Sequence, residues 1–98
     1  MASRREVQDA LTRLAPKIPA FEFNAIADHA MDSMGLAKAS PETAAWLSMV
    51  AFVRHNFTDY DALLHDGYDR AAARHFVAAE IEGILARWGV RRKLSAGE

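Results

Sequence analysis

The densest run of titratable and hydroxyl side chains in this chain is Arg54, His55, Thr58, Asp59, Tyr60, Asp61, His65 and Asp66. Asp61 and His65 are four residues apart, which on a helix places a carboxylate beside an imidazole. That pair can orient the ring for acid–base work or supply two metal ligands. A metal centre needs at least a third donor, from His29, His55 or His75. No spacing fixes one, and no H-E-x-x-H pattern is present, so neither a metal nor a cofactor is assigned. Further along, Arg74 and His75 can face the same run across a bend at Gly67. In that case Arg54, His55, Arg74 and His75 make an anion-accepting pocket beside Tyr60. A plainer reading is preferred at each point. Arg54 and His55 complement the negative end of one helix, Asp59 and Asp61 favour the start of the next, and Arg74 bridges to Asp59, Asp61 or Asp66.

These residues sit at the polar end of the stretch on which the chain is organised, Ser40 to Leu64. Ser40 is a helix cap and Pro41 suits the first helical position, where no amide donor is needed. Trp46, Leu47, Met49, Val50, Ala51, Phe52 and Val53 then cover most of the circumference, and a helix that is apolar all round is a buried one. Its apolar run is well short of the roughly 20 residues that span a bilayer. The helix is expected to end near Asn56, and Thr58 with Asp61 marks the start of a short one closed by Gly67.

Before it, Ser3 and Glu6 form a capping-box pattern for a first helix from about Arg4 to Ala15, with Val7, Ala10, Leu11 and Leu14 as its inner face. A second helix carries Phe23, Ile26, Ala27, Ala30, Met31 and Met34 inward, the two methionines as core filling, and ends with Gly35 as a left-handed cap. His29 falls on its solvated side. After Gly67, Asp69 caps a last helix whose apolar side is Ala73, Phe76, Val77, Ile81, Ile84, Leu85 and Trp88, stopped by Gly89. The fold class is all-α: a small bundle of about five helices packed around a buried third helix. One domain covers residues 1–94, and residues 95–98 form a disordered tail.

Composition narrows the function. The chain has 98 residues, of which 51% are hydrophobic, enough for one core without crosslinks. It has no cysteine, so disulfides, thiolate zinc and a cysteine nucleophile are excluded, and a cytoplasmic location suits that absence. A net charge of −1 offers no bulk attraction to nucleic acid. Only Arg4, Arg5, Arg91, Arg92 and Lys93 near the ends are candidate phosphate contacts. No signal peptide, membrane span, Gly-rich phosphate loop or G-x-S-x-G motif is present.

The run Arg54, His55, Thr58, Tyr60, Asp61, Leu63, Leu64 reads R-H-x-x-T-x-Y-D-x-L-L. It is followed by Ala73-Arg74 and by Ile81, Ile84, Leu85 and Trp88 in an I-x-x-[IV]-L-x-x-W pattern. With Leu14, Ile18 and Pro19, and with Ile26, Ala27, His29 and Ala30 upstream, this resembles an uncharacterised family, the domain of unknown function numbered 2293. The basic G-S-x-R-V-G-R segment often found in that family after the second helix is replaced here by Gly35 to Ser40, with Lys38 its only charge. The resemblance implies no activity, and it directs attention to Arg54, His55, Thr58, Tyr60, Asp61 and Arg74.

The function expected from these readings is a small helical binding or interaction module, with the junction between the third and fourth helices as its recognition surface. Homo-oligomerisation is expected from Ile84, Leu85 and Trp88 lying so close to the tail. The alternatives are a metal-dependent or acid–base enzyme using His55, Asp61, His65 and His75, and nucleic-acid binding through the basic termini.

Overall fold

A computed structural model describes residues 2–98; Met1, with which the expected domain begins, lies outside the described residues. Five α-helices form a small bundle. The first, α1 (Arg4–Leu14), starts where the capping box predicts: the Ser3 hydroxyl accepts from the Glu6 amide at 3.1 Å, and the Ser3 amide donates to Glu6 Oε1 at 2.9 Å. Val7, Ala10 and Leu11 are its buried face.

Helix α2 (Ala20–Asp32) follows Pro19 and buries Ile26, Ala27 and Ala30. It ends earlier than expected, because Ser33 turns extended and breaks the hydrogen-bond ladder. Gly35 therefore is not a left-handed cap; it sits within a single 3-10 turn, Met34–Leu36. Once the helical register is lost, Met34 points outward and is 92% exposed instead of filling the core, while Met31 does pack against it.

Helix α3 (Pro41–Phe57) is the hub. Ser40 caps it through the Thr43 amide at 3.2 Å, and Pro41 opens it. Ala44, Ala45, Trp46, Ser48, Met49, Val50, Val53 and Arg54 are all buried, and α3 touches every other α-helix. Burial of Trp46, Met49 or Val53 contributes roughly 1.5–3 kcal/mol each. The rod is not hidden all round, since Leu47 stays 40% exposed.

Thr58 ends α3, and α4 (Tyr60–His65) begins two residues later. The start lies where Thr58 and Asp61 predict it, with a different device. The Thr58 hydroxyl accepts from the Tyr60 amide at 3.2 Å while donating to the Arg54 carbonyl, and Asp61 takes no part in capping. Gly67 closes α4 at φ +100°, with the Tyr68 amide donating to the Leu63 carbonyl at 3.1 Å.

Helix α5 (Arg70–Arg87) is capped by Asp69, whose Oδ1 accepts from the Ala72 amide at 2.8 Å. Ala73, Val77, Ile81 and Leu85 face inward. Phe76, expected on that side, is 59% exposed and meets Tyr68 edge to face. Ile84, Leu85 and Trp88, whose size motivates an oligomer, are covered to differing degrees within the single chain: Leu85 and Trp88 are buried and Ile84 is half-buried.

Gly89 ends the helix in the left-handed region and lies against Pro16, and the Lys17 amide donates to the Trp88 carbonyl at 2.9 Å. The end of α5 is thus fastened to the α1–α2 connection. Among the described residues no helix is long and apolar enough to cross a membrane.

Candidate recognition site

Arg54 lies on the last turns of α3, among buried positions, because the core stripe of Met49, Val50 and Val53 carries on through it. It is 6% exposed, although its guanidinium cannot shed its charge. Its Cζ stands 5.4 Å from the centroid of the Tyr60 ring, itself buried at the start of α4. Burial, and then the like charge of Arg74, push the Arg54 guanidinium below its ordinary value; Tyr60 and Glu98 act the other way. Two arginines from α3 and α5 are therefore neighbours. Among the described residues neither makes an ion pair, and the bridge from Arg74 to Asp59, Asp61 or Asp66 does not form.

Both cations are met by main-chain oxygens. Arg54 Nη2 donates to the main-chain oxygen of Glu98 at 2.7 Å, and Arg74 Nη1 donates to the Gly97 carbonyl at 2.8 Å. The Nε atoms of both are buried with no partner among the described residues. The Glu98 carboxylate reaches Trp46, whose Nε1 donates to Oε2 at 2.9 Å, and the Arg92 guanidinium lies 4.2 Å over the same indole. Desolvation pushes the Glu98 carboxyl up. The Ser95 hydrogen bonds, the Trp46 indole and the Arg92 charge together outweigh it and hold the group below the ordinary carboxylate range. Residues 95–98, expected to be disordered, thus lie folded against α3 and α5 as a turn, with the Ser95 amide donating to Glu98 Oε1 at 2.8 Å. Together with α5 they line an open groove of about 450 Å³, with Arg74, His75, Ala78 and Glu82 on one side and residues 94–98 on the other.

The other candidates separate into two places. His55 Nδ1 lies 2.8 Å from Asp61 Oδ1, and its ring meets Tyr60 edge to face at 5.4 Å. Asp61 pairs with this histidine because the Thr58 turn folds α4 back on the end of α3; His65, four residues on, is exposed and does not share it. Asp59 is exposed at the α4 start without a side-chain cap bond. His75 is exposed beside Phe76, at the groove. No group of three or more potential metal ligands occurs among the described residues. His29 is exposed, as expected. Of the basic terminal residues, Arg4 pairs with Asp28 at 2.6 Å, Arg5 lies 3.4 Å from Asp9, and Arg92 is engaged with Trp46.

The sequence offers the proximity of Arg54 and Arg74 only as the less favoured alternative to a bridge from Arg74 to an aspartate, and gives no sign of Trp46, Arg92 and Glu98 as their company. One local signal was available. Ser95-x-x-Glu98 repeats the Ser3-x-x-Glu6 pattern that caps α1, and here too it makes a side-chain-to-backbone turn.

With this geometry in view, comparison with known proteins finds one family. The sequence model described as uncharacterized conserved protein (DUF2293) matches residues 10–89. No curated protein and no solved structure matches the chain. Trp46, Arg54, Tyr60 and Arg74 fall inside the matched region, and Arg92 and Glu98 fall outside it.

Proposed function

The chain belongs to the DUF2293 family, and from that premise we propose that it is a small helical binding module whose recognition surface is the junction of α3, α4 and α5, with Arg54 and Arg74 receiving an anionic, oxygen-rich group. One observation carries this reading. Arg54 is a nearly fully buried cation with a second cation as neighbour, a main-chain oxygen of Glu98 as its acceptor, no side-chain ion pair among the described residues, and a donor left over. A purely structural arginine in such a place is usually matched by a carboxylate, because an unmatched buried charge is costly. A pair of neighbouring guanidinia already met by oxygen acceptors is of the kind that charge-assisted, bidentate recognition uses.

The test is an NMR titration of the Arg54 and Arg74 Nε–Hε resonances with inorganic phosphate. Both should move together and saturate, and Arg74→Gln should weaken the response of Arg54. Resonances that stay put while surface lysines respond equally to any salt would remove the proposal.

A second reading keeps a specific footing. The contact of His55 with Asp61 orients an exposed imidazole, as a general base requires, so acid–base chemistry is carried by that pair and not by His65 or His75. Nucleic-acid binding has less support, since Arg4 and Arg5 are engaged with aspartates.

A further inference from the structure

We infer that the turn of residues 95–98 is a built-in latch: it competes with an anion for the Arg54–Arg74 pair, so that capture of the anion requires the turn to lift. This rests on the reading above and adds its regulation. With the turn docked, the pair is shut. Arg54 Nη2 is taken by the main-chain oxygen of Glu98, and Arg74 Nη1 by the Gly97 carbonyl. Both Nε atoms, one of the two donors in a side-on grip on a carboxylate or phosphate, are buried. Arg74 lines the groove along α5 and Arg54 does not, so a dissolved anion entering there meets only one guanidinium of the two.

Of the groups that cover Arg54, the turn is the least firmly held. Tyr60, whose ring lies beside the guanidinium, is buried at the start of α4. The turn belongs to no helix. Ser95, Ala96 and Gly97 are exposed and Glu98 is half-buried, so lifting them surrenders little apolar burial, and segments of that kind open at far less cost than global unfolding. What holds the turn is polar: its two oxygens on the arginines, and the Glu98 carboxylate on the Trp46 indole N–H under the Arg92 guanidinium. A bound anion replaces the two neutral acceptors with charged ones, which make the stronger bonds. The chain just before the turn is anchored, because Val90 is buried, Leu94 packs against the core, and the Leu94 amide donates to Glu82 Oε2 at 3.1 Å. The hinge therefore falls between Leu94 and Ser95.

The experiment titrates the full chain with inorganic phosphate and follows the Arg54 and Arg74 Nε–Hε resonances together with the Trp46 indole N–H. In the unaltered chain the indole signal should move with the same midpoint as the arginines, because each phosphate bound releases Glu98 from Trp46. Apparent affinity is scaled by the fraction of molecules whose turn is lifted. Gly97 stands at φ +86°, and an added Cβ there meets nothing within 4 Å, so Gly97→Ala keeps the carbonyl and strains only the docked backbone. The turn should then lift about tenfold more often, and phosphate should bind about tenfold more tightly. Glu98→Ala should tighten binding as well, but it also removes a negative charge, which makes Gly97→Ala the deciding variant. Circular dichroism confirms that both variants are folded. If Gly97→Ala binds phosphate no more tightly than the unaltered chain, or the indole signal stays still while the arginines saturate, the latch falls and the anion site stands. If phosphate moves the arginine signals in none of the three chains, both fall.

Discussion

At the scale of single residues, the chain keeps two buried polar atoms on α3 that a stability argument alone does not explain, and they make opposite predictions. The Ser48 hydroxyl is buried with no partner among the described residues. An unpaired buried hydroxyl costs about 1–3 kcal/mol, and alanine is the better helix former. Ser48→Ala should therefore raise the urea midpoint, by about 1 kcal/mol in unfolding free energy, and leave the phosphate response untouched. Arg54 differs because the proposed function gives its charge a use. Arg54→Met keeps the buried stem and removes a desolvated cation that no side-chain carboxylate matches, so its loss should cost little stability. Chemical denaturation should show a midpoint unchanged or raised, with anion binding lost. A destabilisation of about 3 kcal/mol or more would mean that Arg54 holds the fold together and is not kept for a ligand. The two-arginine neighbourhood was only half legible in sequence. Arg54 and Arg74 are each visible as a motif residue, but what each faces is decided by long-range packing that no local spacing encodes.

At the scale of elements, the boundaries marked by specific side chains were readable and those inferred from apolar periodicity alone were less so. Ser3, Ser40 and Asp69 each accept from a first-turn amide, as their capping positions predict. Met34 and Phe76 fit an apolar stripe on paper. Met34 fails because the helix stops at Ser33, and Phe76 because the inward side of α5 is narrowed to Ala73, Val77, Ile81 and Leu85. A glycine inside α5 and one just past its end allow a paired test. Gly89 is at φ +84°, and an added Cβ there would stand 3.1 Å from Pro16 Cγ, so Gly89→Ala should destabilise by at least the roughly 1–2 kcal/mol that the left-handed conformation costs. Gly83, inside the same helix with nothing within 4 Å of an added Cβ, should behave oppositely, and Gly83→Ala should stabilise by up to about 1 kcal/mol. Thermal unfolding of the two variants side by side checks both signs.

At the scale of the whole molecule, the all-α bundle around α3 was legible because an apolar helix of this length has few other places to go. The covering of Trp46, Arg54 and Arg74 by a segment from the far end of the chain was not. Its contacts span 23 to 52 residues of sequence separation. This arrangement has a pH dependence whose sign follows from Glu98. Its carboxyl is held below the ordinary value of 4.5 when docked, so docking is fully favoured above that value and is lost as pH falls through the docked value. Glu6, also lowered through the Ser3 hydrogen bonds, weakens the α1 cap in the same acid window. Tryptophan emission followed from pH 6 downward should change in the unaltered chain as Glu98 releases the Trp46 indole. Glu98→Ala should flatten that change, whereas Glu6→Gln should leave it in place.

The bond between the Lys17 amide and the Trp88 carbonyl lies in a connection that carries no regular secondary structure, yet it clasps the beginning of the bundle to its finish. Breaking it by local fraying would require Gly89 to lift off Pro16 and the end of α5 to leave its place. In deuterium oxide, the Lys17 proton should therefore persist alongside those of the central helix, long after neighbouring loop protons have been replaced. A single slow signal from this loop would report on global opening, and its loss at the rate of a frayed end would show that the two extremities of the bundle part company before the middle melts.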